Sequence, residues 1–287
     1  MTNIYAPELE YNVDKLPLLS EDGRRTNEYG LFNEDAHLGT VKKNYTLIQN
    51  KEIINIVEQA VNLIDSPVDF SKTKTLIANS GGTAMLQLQL PDDVIESSRF
   101  SRGKDSIGRQ LTIMNSFDGK SAIAFGTVNT VASCTNQFRY LYNHINTKFR
   151  HTKSLHQNIK NAAIIMTNII NTDLRLMKVF NQLNDIKIDS DIINNVLYDS
   201  LAIDRNYATE IEVKGKELST RAENKIYDMR NSMQRELNSK GSSLWGLFNG
   251  VTYYYNHVEK KGLLDSTAYK NTNAALNTIL THAEISI

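Results

Sequence analysis

No proline occurs beyond Pro91 in a chain of 287 residues. Proline removes a backbone donor and clashes with the preceding helical turn, so its absence leaves the C-terminal two thirds open to long helices. Apolar spacing fits helices at 162–183, 191–199, about 217–238, 244–258 and 266–283. In the third of these, Leu218, Ala222, Ile226, Met229, Met233 and Leu237 line one side, and Glu217 and Arg221 are spaced to pair on the surface. Phe138, Leu141, Tyr142, Ile145 and Phe149 form a further apolar stripe, which predicts a helix from about Asn136.

The first half reads differently. Residues 1–36 have no clear period and read as an acidic arm. Residues 38–45 form a short strand candidate, and Asn50 reads as the N-cap of a helix carrying Ile53, Ile54, Val57, Val61 and Ile64. Residues 73–79 and 83–90 flank Ser80-Gly81-Gly82, and Leu86, Leu88 and Leu90 alternate with Gln87 and Gln89, as in a half-buried strand. A second hairpin pairs 109–115 with 120–125 around Asp118-Gly119, a strong turn signal. The fold class expected is α+β, an antiparallel meander packed on helices with a largely helical C-terminal half. The expected segments are an arm (1–36), an α+β core with a basic stretch (37–160) and a helical region packed on it (161–287).

Lys+Arg and Asp+Glu balance at 32 each, which excludes a bulk polycation. The distribution is uneven. Residues 1–98 carry 8 basic and 15 acidic side chains, and residues 99–160 carry 10 basic and 2 acidic. The middle of the chain is therefore suited to a phosphate backbone. Its cations are Arg99, Arg102, Lys104, Arg109, Lys120, Arg139, Lys148, Arg150, Lys153 and Lys160, with His144, His151 and His156 among them. Tyr140 lies on a face away from the apolar stripe, where a ring can stack on an unpaired base, and His151 can donate to a phosphate. Phe100 and Phe117 have the same capacity, or else pack inward as large rings usually do. The other reading of the basic stretch is a solvated face that offsets the acidic N-terminal part.

Catalytic chemistry finds little support. There is no phosphate-binding glycine loop, no H-E-x-x-H and no Cys/His cluster, so neither a metal nor a cofactor is expected. The lone Cys134 sits among small residues and reads as a buried, inert thiol. One cysteine, no basic-then-apolar leader at the N-terminus and no apolar run of membrane-spanning length lead to the expectation of a cytoplasmic, non-membrane protein.

Three ordered stretches carry a resemblance. The first is Leu38-Gly39-Thr40-Val41 with Tyr45-Thr46-Leu47-Ile48-Gln49-Asn50. The second is Asn115-Ser116-Phe117-Asp118-Gly119 before Cys134-Thr135-Asn136, with Arg150-His151-Thr152 downstream. The third is 244–252, Leu-Trp-Gly-Leu-Phe-Asn-Gly-Val-Thr, with His257. Together, from about residue 37 to 283, they resemble the phage/plasmid-like proteins grouped as domain of unknown function 932. That resemblance implies a mobile-element setting and brings no catalytic residues. Element order and charge also resemble single-strand annealing proteins of the RecT, Erf and Redβ kind, by analogy alone.

The function expected is a non-catalytic single-stranded DNA-binding or annealing protein of a phage or mobile element, acting in recombination or replication. It would work in the host cytoplasm as a homo-oligomeric ring or filament. The alternative is an interaction protein that binds a host factor, countering a defence system or a nuclease, without DNA affinity. If the arm at 1–36 shields the basic surface, deleting it raises DNA affinity.

Overall fold

A computed structural model describes residues 4–63, 68–96, 104–119, 121–140, 148–155, 157, 161–204 and 219–286. Two units are present, and the chain passes between them repeatedly. Unit 1 takes Met1–Pro91, Arg109–Val128 and Leu141–Thr172, and unit 2 takes Asp92–Gly108, Asn129–Tyr140 and Asp173–Ile287. This division differs from three consecutive segments because the pairing of distant stretches sets it, not chain order.

The strands form two antiparallel sheets. One has the order β1-β2-β3, from Asp14–Leu19, Arg25–Asn33 and Ala36–Lys42. The other has the order β4-β5-β6-β7-β8, from Asp69–Ala78, Thr83–Glu96, Lys104–Ser116, Ile123–Val131 and Asn136–Tyr140, and β9 (Lys148–Phe149) pairs with β7.

In unit 1, the stretch expected to be an arm is instead a hairpin. Asp14↔Phe32 and Leu16↔Gly30 pair across β1 and β2, and Val13 and Leu31 are buried with Val41 and Phe117. Two prolines and scattered acids hide the period, because β1 and β2 each bury few side chains. Helix α1 (Asn50–Leu63) buries Ile53, Val57, Ala60 and Val61. It begins at Asn50 itself, and the backbone N–H of Gln49 donates to Glu52 Oε1 at 3.0 Å. The N-cap therefore lies one residue before the expected position, in the reciprocal half of a capping box. Asn50 Oδ1 serves another purpose, accepting from Asn115 Nδ2 at 2.9 Å.

In unit 2, helices α2 (Ala162–Asp185, from Asp173 onward), α3 (Ser190–Ser200), α4 (Thr220–Lys240), α5 (Leu244–Tyr253) and α6 (Ser266–His282) share a core with Ile95, Ile107, Val131 and Phe138 from the strands. Local chemistry explains where they start. Asp189, Ser219, Ser243 and Asp265 each accept a backbone N–H of the first turn. Trp245 is fully buried, 4.8 Å from the Phe180 ring, and Phe138 stands edge-on to Phe248 at 5.1 Å. A Cβ on Gly250 would lie 2.4 Å from Met233 Cα, so α4 and α5 meet backbone to backbone. After α5 the chain continues in a π-helical turn, Tyr254–Val258.

The helix expected from Asn136 is not formed there: Asn136–Tyr140 is β8 and Lys148–Phe149 is β9. The side chain of Asn256 brackets Gln137, accepting its N–H at 3.3 Å and donating to its carbonyl at 2.8 Å. Those partners satisfy β8 as a strand, and the apolar spacing of Phe138 and Phe149 reflects two separate burials, Phe138 in unit 2 and Phe149 in unit 1. No described helix is long and apolar enough to cross a membrane.

Candidate nucleic-acid interface

The residues of the basic stretch divide into three groups. Arg109, Arg139 and His151 are buried, at 3%, 7% and 7% exposure. Arg109 on β6 donates through Nη1 to the Pro91 carbonyl at 3.2 Å. The Arg139 guanidinium lies 4.5 Å over the Tyr269 ring, and burial lowers its pKa. His151 stacks on Tyr45 at 4.6 Å and 14°, with Nδ1 3.1 Å from the Thr46 carbonyl, and burial lowers its pKa as well. These three side chains face protein, so their charge or ring orders the fold around the surface. Phe117 is also fully buried, 6.2 Å from Tyr11.

Lys148, Arg150 and Lys153 form the second group. All are exposed, and none makes an ion pair among the described residues. The third group is outside the described residues: Arg99, Arg102 and Lys120, with Phe100, His144, His156, Lys160 and Glu217. Lys104 and Tyr140 are described only as strand backbone.

The exposed group stands on a rigid base. Phe149 pairs with Ile123 in the sheet and meets Phe125 edge-on at 5.8 Å, while Lys148 and Arg150 on either side of it face solvent. This is the period-2 alternation of a strand applied to a short stretch. The following turn is tied down by His151, whose carbonyl accepts the Thr46 N–H at 3.0 Å.

That tie brings in three cations that the reading of residues 99–160 left out. Lys42 and Lys43 are exposed on the turn before Thr46, and the Tyr45 N–H closes this turn on the Lys42 carbonyl at 3.0 Å. Lys15 crosses from β1 and donates to the carbonyls of Lys43 at 2.9 Å and Tyr45 at 2.7 Å. The basic run at 148–153 thus lies beside cations from the acidic third of the chain. Asp118 is directed into its own hairpin, where it accepts from Ser116 Oγ at 2.6 Å and Ser121 N at 3.1 Å, and exposed Glu28 stands opposite Lys42 across β2 and β3. Only the alternation around Phe149 is a sequence signal for this arrangement; the placing of Lys15 and Lys43 has none.

The stretches that carried the resemblance gather into two hydrogen-bonded clusters, one in each unit. In unit 1, Ser116 and Phe117 both bond the Gly82 carbonyl, Tyr45 Oη donates to the Ser116 carbonyl at 3.2 Å, and Gln49 bonds both polar groups of the Val13 backbone. Gly39 lets the Asp118 backbone approach: a Cβ there would lie 2.5 Å from its carbonyl oxygen.

In unit 2, Asn136 Nδ2 donates to the Asn249 carbonyl at 3.0 Å. His257 Nε2 lies 3.1 Å from both the Cys134 carbonyl and Asn136 Oδ1. Burial pushes the Cys134 thiol up to about 11, which leaves it protonated and weakly nucleophilic at neutral pH. No group of three His, Cys, Asp or Glu side chains able to hold a metal occurs among the described residues.

No curated protein and no solved structure matches this chain. The family described as "Domain of unknown function (DUF932)" matches residues 37–280, a span that takes in the exposed basic run, the unit 2 cluster and the unit 1 cluster apart from Val13, and the chain belongs to that family.

Proposed function

We propose that this protein binds single-stranded DNA without catalysing a reaction on it, as an annealing or recombination factor of a phage or mobile element. The observation that carries the reading is the exposed set Lys148, Arg150 and Lys153, held on a fixed strand and turn beside Lys15, Lys42 and Lys43. A strand and turn already paired within the fold need no further backbone ordering to carry these cations, and each neutralised phosphate releases a counterion. His151, bonded to Thr46 and stacked on Tyr45, then acts as a positioning residue.

Fluorescence anisotropy with a labelled single-stranded oligonucleotide across a salt series tests the reading. Affinity should fall steeply with salt, and Lys148→Glu with Arg150→Glu should weaken binding about tenfold or more and flatten the log–log slope by about 0.7 per lost contact. Absent affinity, or affinity indifferent to salt, overturns it. A stable complex captured with a host protein, without DNA affinity, would favour the interaction-protein alternative. Assembly into a ring or filament belongs to the same proposal and is read by sedimentation with and without the oligonucleotide.

A further inference from the structure

Between the exposed Arg150 and Lys153, His151 turns inward. It is clasped to Thr46 in both directions. Its ring Nδ1 donates to the Thr46 carbonyl at 3.1 Å, and its own carbonyl accepts the Thr46 N–H at 3.0 Å. The ring also stacks on Tyr45 at 4.6 Å. A carbonyl only accepts, so Nδ1 carries the hydrogen and, in the neutral ring, Nε2 is a bare lone pair. That nitrogen is buried with no hydrogen-bond partner.

A proton added at Nε2 creates a second N–H without an acceptor and a charge in a place closed to water, and both are unfavourable. Cations surround the clasp. Lys15 Nζ donates to the Tyr45 carbonyl at 2.7 Å, and Lys42 and Lys43 stand on the turn that Tyr45 closes, with Glu28 opposite Lys42. Lys148, Arg150 and Lys153 flank the ring along the chain. The Tyr45 hydroxyl donates to the Ser116 carbonyl at 3.2 Å and stays neutral, since burial raises its pKa. For His151 burial is the largest influence and lowers the pKa, against the Thr46 carbonyl and the charge of Asp118, which favour the protonated ring. The neutral ring is therefore the form that the fold holds.

We infer that His151 is a pH-sensitive latch: its neutral ring fastens the 148–153 run to the 42–46 turn, and protonation releases the run and weakens single-strand binding. The inference rests on the single-strand reading above for its ligand and adds regulation to that site. Linkage fixes the sign. A released ring takes its proton near the ordinary histidine value, ~6.5, and the latched ring only at lower pH. The latch is therefore fully effective above that value and is lost as pH falls below it, through the native value. A histidine that touched phosphate would act in the opposite sense, gaining charge and affinity in acid.

The test pairs oligonucleotide anisotropy at constant ionic strength with NMR of the free full-length protein, both followed across pH. His151→Phe keeps a ring for Tyr45 and cannot take a proton. His151→Gln can still donate to the Thr46 carbonyl and cannot take one either, so it serves if the first variant fails to fold. From about pH 7.5 to about pH 5, native affinity should fall at least about threefold relative to either variant, as the latched fraction drops. In the free protein, the His151 ring and the Phe149 amide signal should titrate with one midpoint. Three results overturn the inference: the same pH slope in native and variant chains, a Phe149 signal that ignores the His151 titration, or native affinity that rises in acid and loses the rise in His151→Phe. If the oligonucleotide binds with the expected salt dependence and the pH slopes coincide, the latch fails alone. If no oligonucleotide binds at any pH while His151 and Phe149 titrate together, the single-strand reading fails and the latch stands.

Discussion

Asp105 and Lys240 lie 135 residues apart in the chain and meet in unit 2, each 3% exposed, with Ser133 Oγ bonded to both. Two charges so placed are tolerated only as a pair. Asp105→Asn should therefore cost about 3–5 kcal/mol in denaturant unfolding, because it strands the ammonium, whereas replacing both by apolar residues should recover most of that loss. One helical turn before Lys240, Glu236 is buried with Oε2 unpartnered, and desolvation raises its pKa.

A native pKa above the unfolded value makes a contribution to stability that is complete below the ordinary glutamate range, ~4.3, and is lost as pH rises through the native value. The stability of Glu236→Gln relative to the native chain should thus increase as pH is raised from about 4 to 8; a pH-independent difference would contradict the assignment. Glycines give a matched pair at the same scale. Gly250→Ala drives a methyl into the Met233 backbone and should cost about 1–3 kcal/mol, while Gly262→Ala, with nothing within 4 Å of the new Cβ, should be close to neutral.

Among elements, the helices of the second half and the two central hairpins are legible because each has a strong local signal: apolar residues at helical spacing, an acceptor side chain before the first turn, or an Asp-Gly turn. The same spacing misleads at Asn136–Phe149, where Phe138 and Phe149 belong to two strands. Periodicity records which side chains are buried and does not record whether one element or two bury them. The first hairpin, β1–β2, escapes for the opposite reason: its strands lie largely exposed and carry no alternation to detect.

Strand β9 is the element on which the proposed interface depends. Phe149→Asp should place a charge at a site 3% exposed, release the 148–153 turn and reduce single-strand affinity along with the stability of unit 1. A variant that keeps its fold, such as Lys148→Gln with Arg150→Gln, separates the loss of charge from the loss of the base on which the charges stand, with circular dichroism as the control.

For the whole molecule, the N-terminal stretch changes meaning. Residues 1–36 supply β1, β2 and the buried Val13 and Leu31, and Lys15 holds the turn beside the basic run. Their deletion should abolish cooperative unfolding of unit 1 in calorimetry, and no gain in DNA affinity from an uncovered surface is expected. Survival of the remaining sheet with increased affinity would restore the picture of a detachable acidic arm.

The sequence by itself determined the α+β class, the positions of most helices, the two central hairpins and the concentration of positive charge in residues 99–160. Each of these is set by neighbours in the chain: spacing, caps, turns and composition. Only the tertiary structure decided which of those cations face solvent. It also decided that Lys42 and Lys43 lie exposed on the turn tied to the basic run, that Lys15 bonds that turn, and that Arg109, Arg139 and His151 turn inward. Burial and proximity depend on strand pairings between stretches far apart in the chain, and no local pattern encodes them.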